Sequence, residues 1–289
     1  MSAEFLDASQ AVQRLVPPGS VVGVGGMHMT SAPMALVREL VRQRVPIGRL
    51  VTSPSASIQA DLLIAAGLVD QIVSPYVGFE HFGLAPAFRR AVEAGELTVL
   101  EIDEGSLTHA LYAGAGGIPF VPCPPGIDLT GIPAVNPEMF AEVADPFTGE
   151  LRWAVRAIRP DVVLLSCREA APDGTAWLGR FPFTDRLLAL SARRLVIQVE
   201  RLAELGSMAG RAAGETIPGF LADAVVVVPG GCRPTESPGE YERDEDAIRE
   251  YLSAAKDPGV LADYLAAITT PAVSAAADAG PAAVPGGVR

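Results

Sequence analysis

The stretch that decides the fold covers residues 20–41 and reads SVVGVGGMHMTSAPMALVRELV. Its β-branched, apolar beginning predicts a buried strand that ends at the glycine pair Gly25–Gly26. After Pro33 the apolar residues recur at helical spacing, and proline is favoured in the first turn of a helix. The stretch therefore predicts a strand, a glycine turn and a helix.

The same alternation continues through the first half of the chain. The further predicted elements are a strand at 48–53, a helix at 57–69, a strand at 70–77, a helix at 84–95 and a strand at 96–103. Strands and helices that alternate with short connections form a parallel sheet, because each connection has to cross a face of the sheet. The predicted fold class is therefore α/β, a mostly parallel sheet with helices on both faces.

The pattern changes at residues 112–150, where glycine and proline are too frequent for regular strands or helices. A connection of this length inside a compact chain is usually functional. Strand patterns return at 161–166, 194–200 and 223–231, and two terminal helices are predicted at 242–255 and 258–268. We predict one α/β domain over residues 1–269 and a disordered Ala/Pro/Gly tail over residues 270–289.

The composition excludes several classes of partner. In 289 residues, 22 Lys and Arg face 34 Asp and Glu, which gives a net charge of −12. Nucleic acid and anionic membranes both require a basic surface, so neither is an expected partner. Cys123, Cys167 and Cys232 are widely spaced and odd in number, which indicates free thiols in a reducing compartment. No signal-peptide or membrane-spanning pattern is present, so the expected location is the cytoplasm.

The glycine turn is the first candidate site. Glycines directly after a strand let a ligand approach the backbone, and the following helix offers free N–H groups to an anion. The spacing matches neither a dinucleotide fingerprint nor a phosphate-binding loop, and a tight turn without a ligand would look similar. His28 falls inside this segment, but the three histidines have no metal-like spacing, so no metal is expected.

The second candidate is LEIDEGSLTHAL, from Leu100. Glu101, Asp103 and Glu104 cluster where a strand ends, and ligands of open α/β sheets bind at the carboxyl ends of strands. A partly buried carboxylate among like charges would have a raised pKa that suits acid–base or nucleophilic work. An acidic N-cap and first helical turn would give the same pattern, and the residue types alone favour this plainer interpretation.

Two further segments give weaker signals. Glu200 and Arg201 end a predicted strand, where they would either orient a substrate carboxylate or form a surface ion pair. The segment from Val225 passes from a buried strand into a glycine turn, a polar loop and a charged helix, which weakly indicates the edge of a site. No G-x-S-x-G motif supports a serine nucleophile.

Taken in order, three segments resemble the A (α) subunit of a heteromeric family I CoA-transferase of the glutaconate CoA-transferase group. They are VPPGSVVGVGGMHMTSAPMALVREL from Val16, LTVLEIDEGSL from Leu97, and VVVVPGGCRPTESPGEYERDEDAIREYLSAA from Val225. The resemblance covers residues 11–268. It implies a sugar-isomerase-like α/β fold, a partner in the form of a homologous B subunit, and coenzyme A within an acyl-CoA substrate, with a carboxylic acid as the other substrate.

The resemblance also implies roles for individual residues. In the transferases of this group a glutamate attacks the thioester, and that nucleophile generally belongs to the B subunit. Gly25, Gly26 and Met27 would line the CoA or acyl site, where backbone N–H groups could stabilise a thioester oxyanion. Many transferases carry a further glycine after this pair, whereas here the chain continues with residues 27–31 as MHMTS. His28, Glu200 and Arg201 are weaker candidates for substrate contacts.

A second branch of the same family gives an alternative. In steroid-degrading bacteria a related two-subunit enzyme opens a ring of a cyclic CoA thioester by hydrolysis, with its working glutamate in a segment similar to EIDEGSL. Glu104 is the matching position, and it would act as the general base. A third hypothesis is a non-catalytic CoA-binding subunit. In each case the acidic chain repels CoA at long range, so Arg89–Arg90 or Arg193–Arg194 are candidate contacts for the phosphates.

Overall fold

A computed structural model describes residues 3–179 and 182–269. Its strands are β1 Glu4–Phe5, β2 Ser20–Val24, β3 Ile47–Thr52, β4 Ser55–Ala56, β5 Val69–Val73, β6 Tyr76–Val77, β7 Thr98–Val99, β8 Phe120–Pro122, β9 Phe140–Ala144, β10 Leu151–Arg156, β11 Val162–Ala170, β12 Ala176–Trp177, β13 Leu195–Leu202, β14 Thr216–Ile217 and β15 Ala224–Val227. Its helices are α1 Ala8–Leu15, α2 Met34–Gln43, α3 Ile58–Ala65, α4 Pro86–Glu93, α5 Glu104–Ala115, α6 Ile132–Val135, α7 Asp185–Ser191, α8 Glu245–Ala254 and α9 Pro258–Thr269. The predicted tail, residues 270–289, lies outside the described residues.

The main sheet is built around eight parallel strands in the order β1-β15-β13-β11-β2-β3-β5-β7. Two short strands extend it, since β12 pairs antiparallel with β11 and β14 pairs antiparallel with β12. Val24, at the end of β2, is in register with Thr52 of β3 and Leu164 of β11. The mostly parallel sheet predicted from the alternating pattern is therefore confirmed.

Both faces of this sheet are covered. On one face α1, α2, α3, α8 and α9 enclose a core that includes Leu40, Ile58 and Tyr251. On the other face α5 and α7 pack on the sheet through Leu107 and Leu188. Because both surfaces of the central strands are buried, their sequences are continuous apolar runs and do not alternate between apolar and polar residues.

The proline-rich segment contains regular structure, so the expectation for residues 112–150 is corrected. α5 runs on to Ala115, and β8 and β9 pair antiparallel on either side of β10. β8 and β9 are thus edge strands of a three-stranded sheet. Proline is tolerated in an edge strand because one side of that strand needs no ladder hydrogen bonds, which is why Pro122 can end β8.

The order of the strands places a ligand site. From β2 the chain moves outward through β3, β5 and β7, and after the small sheet it moves outward in the other direction through β11, β13 and β15. β2 and β11 are therefore neighbours from which the two halves of the sheet diverge. In open α/β sheets, ligands bind outside the carboxyl ends of strands at such a switch point. Among the described residues, no helix is long and apolar enough to cross a bilayer.

Candidate functional site

The glycine loop, defined here as residues 25–31, begins at the carboxyl end of β2 and therefore at the switch point. The amide of Gly25 donates to the carbonyl of Leu164, and that of Met27 donates to the carbonyl of Thr30, at 3.0 Å in each case. The N–H of Gly26 donates to a side-chain carboxylate, that of Asp185, with distances of 3.0 and 3.1 Å to the two oxygens. All three N–H groups thus have acceptors inside the chain.

These internal acceptors bear on the expected oxyanion role of the three N–H groups, which stays a prediction. A thioester oxyanion would have to displace an internal acceptor from Gly25, Gly26 or Met27 before it could accept a hydrogen bond. The loop is built to hold its own shape. Gly26 has φ +88°, and a Cβ added there would lie 2.7 Å from the Cα of Ala32. Contact of the loop with CoA through other atoms stays a prediction.

Asp185, the first residue of α7, supports the candidate site, and sequence reasoning missed it. It is 4% exposed, and its carboxylate also accepts from the hydroxyl of Ser53 at 2.9 Å. Burial raises the pKa of Asp185 to about 6, and the hydrogen bonds from Gly26 and Ser53 limit that rise. In the sequence this aspartate looks like an ordinary helix start, because Gly26 and Ser53 lie more than a hundred residues away.

A serine-rich segment, residues 52–57, begins at the last residue of β3 and contacts the glycine loop at His28. Ser55 Oγ is 2.8 Å from His28 Nδ1, and the hydroxyl of Ser57 donates to the His28 carbonyl at 2.6 Å. Glu80 Oε1 lies 3.5 Å from the same Nδ1. His28 is therefore held at the carboxyl edge of the sheet by two loops, and its Nε2 has no hydrogen-bond partner among the described residues.

The fourth predicted segment also reaches the glycine loop. The amide of Glu236 donates to Met29 O at 2.9 Å, and the amide of Ser31 donates to Glu236 O at 2.8 Å. The structure thus joins two segments that are about 200 residues apart in the chain. The interpretation of the later segment as the edge of a site is consistent with this placement.

Glu200 and Arg201 do not form a pair, because successive side chains of a strand point to opposite faces. Glu200 is 8% exposed and accepts from the Gly230 amide at 2.6 Å and from the Tyr241 hydroxyl at 2.5 Å, so it anchors the 230–241 loop. Arg201 instead contacts Glu169 at 3.0 Å and Glu240 at 2.5 Å. A substrate carboxylate at Arg201 would have to compete with both glutamates.

Glu104 begins α5, directly after the N-cap Asp103, whose side chain accepts from the Ser106 amide at 2.9 Å. Its own side chain is exposed, so the partial burial expected for this carboxylate is not found in this chain. β3 and β5 separate β2 from β7, and three strand spacings of about 4.8 Å put the ends of β2 and β7 about 14 Å apart. Glu104 therefore shares the carboxyl edge with the glycine loop without touching it.

In the described part of the chain the candidate arginines make no polar contact with the glycine loop, and Cys123 and Cys232 are not reactive thiols. Among the described residues no hydrogen bond or ion pair joins Arg89–Arg90 or Arg193–Arg194 to the glycine loop. Burial raises the pKa of Cys123 to about 11 and that of Cys232 to about 12, so both thiols are protonated near neutral pH. Within the described ranges no group of His, Cys, Asp and Glu side chains is placed to hold a metal ion.

Comparison with known proteins assigns the chain to a family. The sequence model described as coenzyme A transferase matches residues 5–228. The A subunit of 3-oxoadipate CoA-transferase from Pseudomonas knackmussii is 33% identical over 261 residues, which are 88% of this chain and 89% of that protein. The cholesterol ring-cleaving hydrolase IpdA subunit of Rhodococcus jostii is 29% identical over 265 residues, 86% of each.

Two more comparisons concern length and structure. A protein of Archaeoglobus fulgidus is 31% identical over 255 residues, and the match spans 88% of this chain but only 56% of that longer protein. A solved variant of the decarboxylase AibA/AibB is similar with a TM-score of 0.83 and 32% identity, over 93% of this chain and 99% of that one. The chain therefore belongs to the coenzyme A transferase family.

Proposed function

We propose that the chain is the A component of a two-subunit CoA-transferase that moves CoA between carboxylic acids together with a homologous B subunit. The observation that carries this proposal is the likeness to the A subunit of 3-oxoadipate CoA-transferase, which extends over 88% of the chain. Coenzyme A enters as part of the acyl-CoA substrate, and the second substrate is a free carboxylic acid.

In the proposed reaction a glutamate of the partner attacks the thioester carbonyl. The bond between the carbonyl carbon and sulfur breaks, CoA leaves as a thiolate, and a mixed anhydride remains. The thiolate then attacks the carbonyl of the partner's glutamate, which releases the first acid and leaves an enzyme-bound thioester. The second acid attacks this thioester, and the same steps in reverse transfer CoA to it. The carboxylates of Asp185 and Glu200 already accept hydrogen bonds from groups within this chain, which supports a nucleophile that comes from the partner.

The role proposed for this chain is to shape one wall of the site. Gly25, Gly26 and Met27 would contact the acyl-CoA through their backbone surface, while His28 presents Nε2 to the polar end of a substrate. Within the part of the chain that the structure describes, Arg89–Arg90 and Arg193–Arg194 make no hydrogen bond or ion pair with that wall, Arg243 is already paired with Glu80 at 3.6 Å, and the net charge of the chain is −12. We therefore expect the partner to supply the positive contacts that bind the CoA phosphates.

The test is reconstitution of the complex. The chain is co-expressed with a homologous B-type subunit, co-purified through a tag on one subunit only, and assayed for exchange of CoA between acyl-CoA and free acid pairs. We expect a stable complex whose exchange activity neither subunit shows alone. A complex that exchanges CoA with no pair of acids would contradict the transferase proposal.

Glu104→Gln in the assembled complex separates transfer from hydrolysis. We expect the rate of CoA exchange to change by less than about tenfold, because Glu104 is not the nucleophile in the proposed transfer. Glu101→Gln is the matched control, since Glu101 is also exposed and lies just before the same helix. A loss of about 10²-fold or more in Glu104→Gln alone would assign the essential carboxylate to this chain.

The second candidate function is ring-opening hydrolysis of a CoA thioester, with Glu104 as general base. The supporting observation is its position, exposed at the start of α5 and free of ion pairs among the described residues, next to the edge where the glycine loop lies. A partner that covered Glu104 would take its carboxylate out of water, where a carboxylate is more effective as a general base. Release of free product without an acceptor acid would support this function.

The third candidate is a non-catalytic subunit that completes the partner's site. Native mass spectrometry with a CoA titration tests it. Binding of CoA to the complex with contacts from this chain would contradict a purely structural role, whereas a complex that forms and does not bind CoA would support it.

A further inference from the structure

A cavity away from the candidate site is lined by arginines. It has a volume of about 520 Å³ and lies on the α5 face of the main sheet, over valines of β2, β3 and β5. The charged residues that line it are Arg49, Arg156, Arg159, Arg193 and Glu138. We call this cavity the arginine pocket. In a chain with 22 basic residues among 289, it is a strong local concentration of positive charge.

The arginines of the pocket lie at the end of the sheet away from the glycine loop, although the valine floor extends to Val51 and Val73 near the carboxyl ends of β3 and β5. Arg159 lies just before β11 and Arg193 just before β13, which places both at the amino ends of these strands. The glycine loop lies at the carboxyl end of β2. At a rise of about 3.3 Å per residue, the length of β2 alone separates the two ends by about 13 Å.

The positive charge of the arginine pocket is only partly neutralised. Arg49 pairs with Glu138 at 2.6 Å, and Arg193 approaches Asp161 at 3.6 Å. Arg156 and Arg159 have no ion pair with any described residue. Four guanidinium groups around one cavity repel one another, and a bound anion would remove that repulsion.

We propose that the arginine pocket binds a small polyanion with at least two phosphate or carboxylate groups. The planar fork of arginine matches both groups with paired N–H donors, and a cavity of this volume accommodates a ligand of such size. The same chemistry has two sources, a free polyanionic metabolite or the nucleotide part of a CoA ester. This site goes beyond the proposed transferase function and does not depend on it.

The test uses isothermal titration of the full chain with pyrophosphate, at about 0.05 M and about 0.5 M ionic strength. We expect saturable binding that weakens at the higher salt concentration. Arg156→Gln and Arg159→Gln should each weaken the affinity about tenfold or more, because each removes a charged hydrogen-bond donor. Arg89→Gln is the matched control, since it removes an exposed arginine on α4 and should change the affinity less than about twofold.

Two further measurements complete the design. Unfolding midpoints without ligand show whether Arg156→Gln and Arg159→Gln fold like Arg89→Gln, and pyrophosphate should raise the midpoint of the parent chain more than that of either pocket variant. Stronger competition by 3′,5′-ADP than by 5′-ADP would identify the nucleotide part of CoA as the source, and equal competition by the two nucleotides would identify a free polyanion.

Three results would overturn the proposal. One is the absence of pyrophosphate binding at low ionic strength, and another is equal affinity in Arg156→Gln, Arg159→Gln and Arg89→Gln. The third combines two observations. The complex with the B-type subunit does not bind pyrophosphate, and this complex does not assemble when Arg156 or Arg159 is replaced. That result would make these arginines contacts for the partner.

Discussion

Asp185→Asn is expected to raise the free energy of unfolding at pH 7 by up to about 3 kcal/mol. The carboxyl has a pKa of about 6 in the folded chain, against 3.8 as the reference value. Between these two values the folded state keeps a proton that the unfolded state has already lost, and at pH 7 the folded state has to hold a buried charge. Asparagine resembles the protonated carboxyl in shape, and its oxygen can accept from Gly26 and Ser53.

The sign of the pH dependence follows from this order of titration. Below about pH 4 both states of the parent chain are protonated, so Asp185 adds no pH-dependent difference. Between about pH 4 and pH 6 the unfolded state binds fewer protons than the folded state, and the parent chain loses stability as the pH rises. Above about pH 6 the carboxyl is ionised in both states, so the stability of the parent chain falls no further. The advantage of Asp185→Asn should grow across that window and then stay constant.

The measurement is urea unfolding of both chains at a series of pH values from 4 to 8. Asp70→Asn removes an exposed carboxyl on β5 and controls for the change in net charge. Cys167 lies close enough to Asp185 to interact electrostatically, but burial raises its pKa well above the usual range, so the thiol stays neutral throughout. A difference between Asp185→Asn and the parent that does not vary with pH would contradict the assigned pKa.

Gly26→Ala is expected to destabilise the chain by about 2–5 kcal/mol, through two separate costs. Gly26 has φ +88°, a conformation that costs an L-residue about 1–2 kcal/mol. The added methyl would also lie 2.7 Å from the Cα and 2.8 Å from the nitrogen of Ala32. Because these neighbours are backbone atoms, the loop has to move, at a cost of about 1–3 kcal/mol.

Gly149→Ala is the matched control for Gly26→Ala. Gly149 has φ +77° in the turn between β9 and β10, and a Cβ there would meet nothing within 4 Å. Gly149→Ala has the conformational cost of a positive φ without a close contact of the added methyl. The difference in unfolding free energy between the two variants therefore measures the cost of the close contact at the glycine loop. Urea unfolding of both variants beside the parent measures it. Equal losses in the two variants would show that the loop has room for a side chain.

Much of the fold follows from local patterns. The unit at residues 20–41 forms β2, the glycine loop and α2, because strand and helix periodicities are properties of neighbouring residues. The terminal helices predicted at 242–255 and 258–268 are α8 and α9. The small sheet was missed because proline density argues against strands in general, whereas an edge strand such as β8 tolerates proline.

The site depends more on contacts between distant segments. Glu200 and Arg201 are adjacent in sequence, yet one is buried against Tyr241 and the other pairs with Glu240. The alternation of side chains along a strand was a signal for this separation. For Asp185 there was no such signal, because its raised pKa comes from burial against two loops that belong to other strands.

The sequence by itself determined the α/β class, the glycine turn after the first central strand and the kinship with CoA-transferases. These rest on residue periodicity and contiguous motifs, which need no knowledge of distant contacts. Only the tertiary structure decided that the Gly26 N–H is bound to Asp185, that Glu104 is exposed, and that arginines converge on a pocket over the α5 face of the sheet. Burial and charge are set by what the folded chain brings together, and so are the chemical properties of these groups.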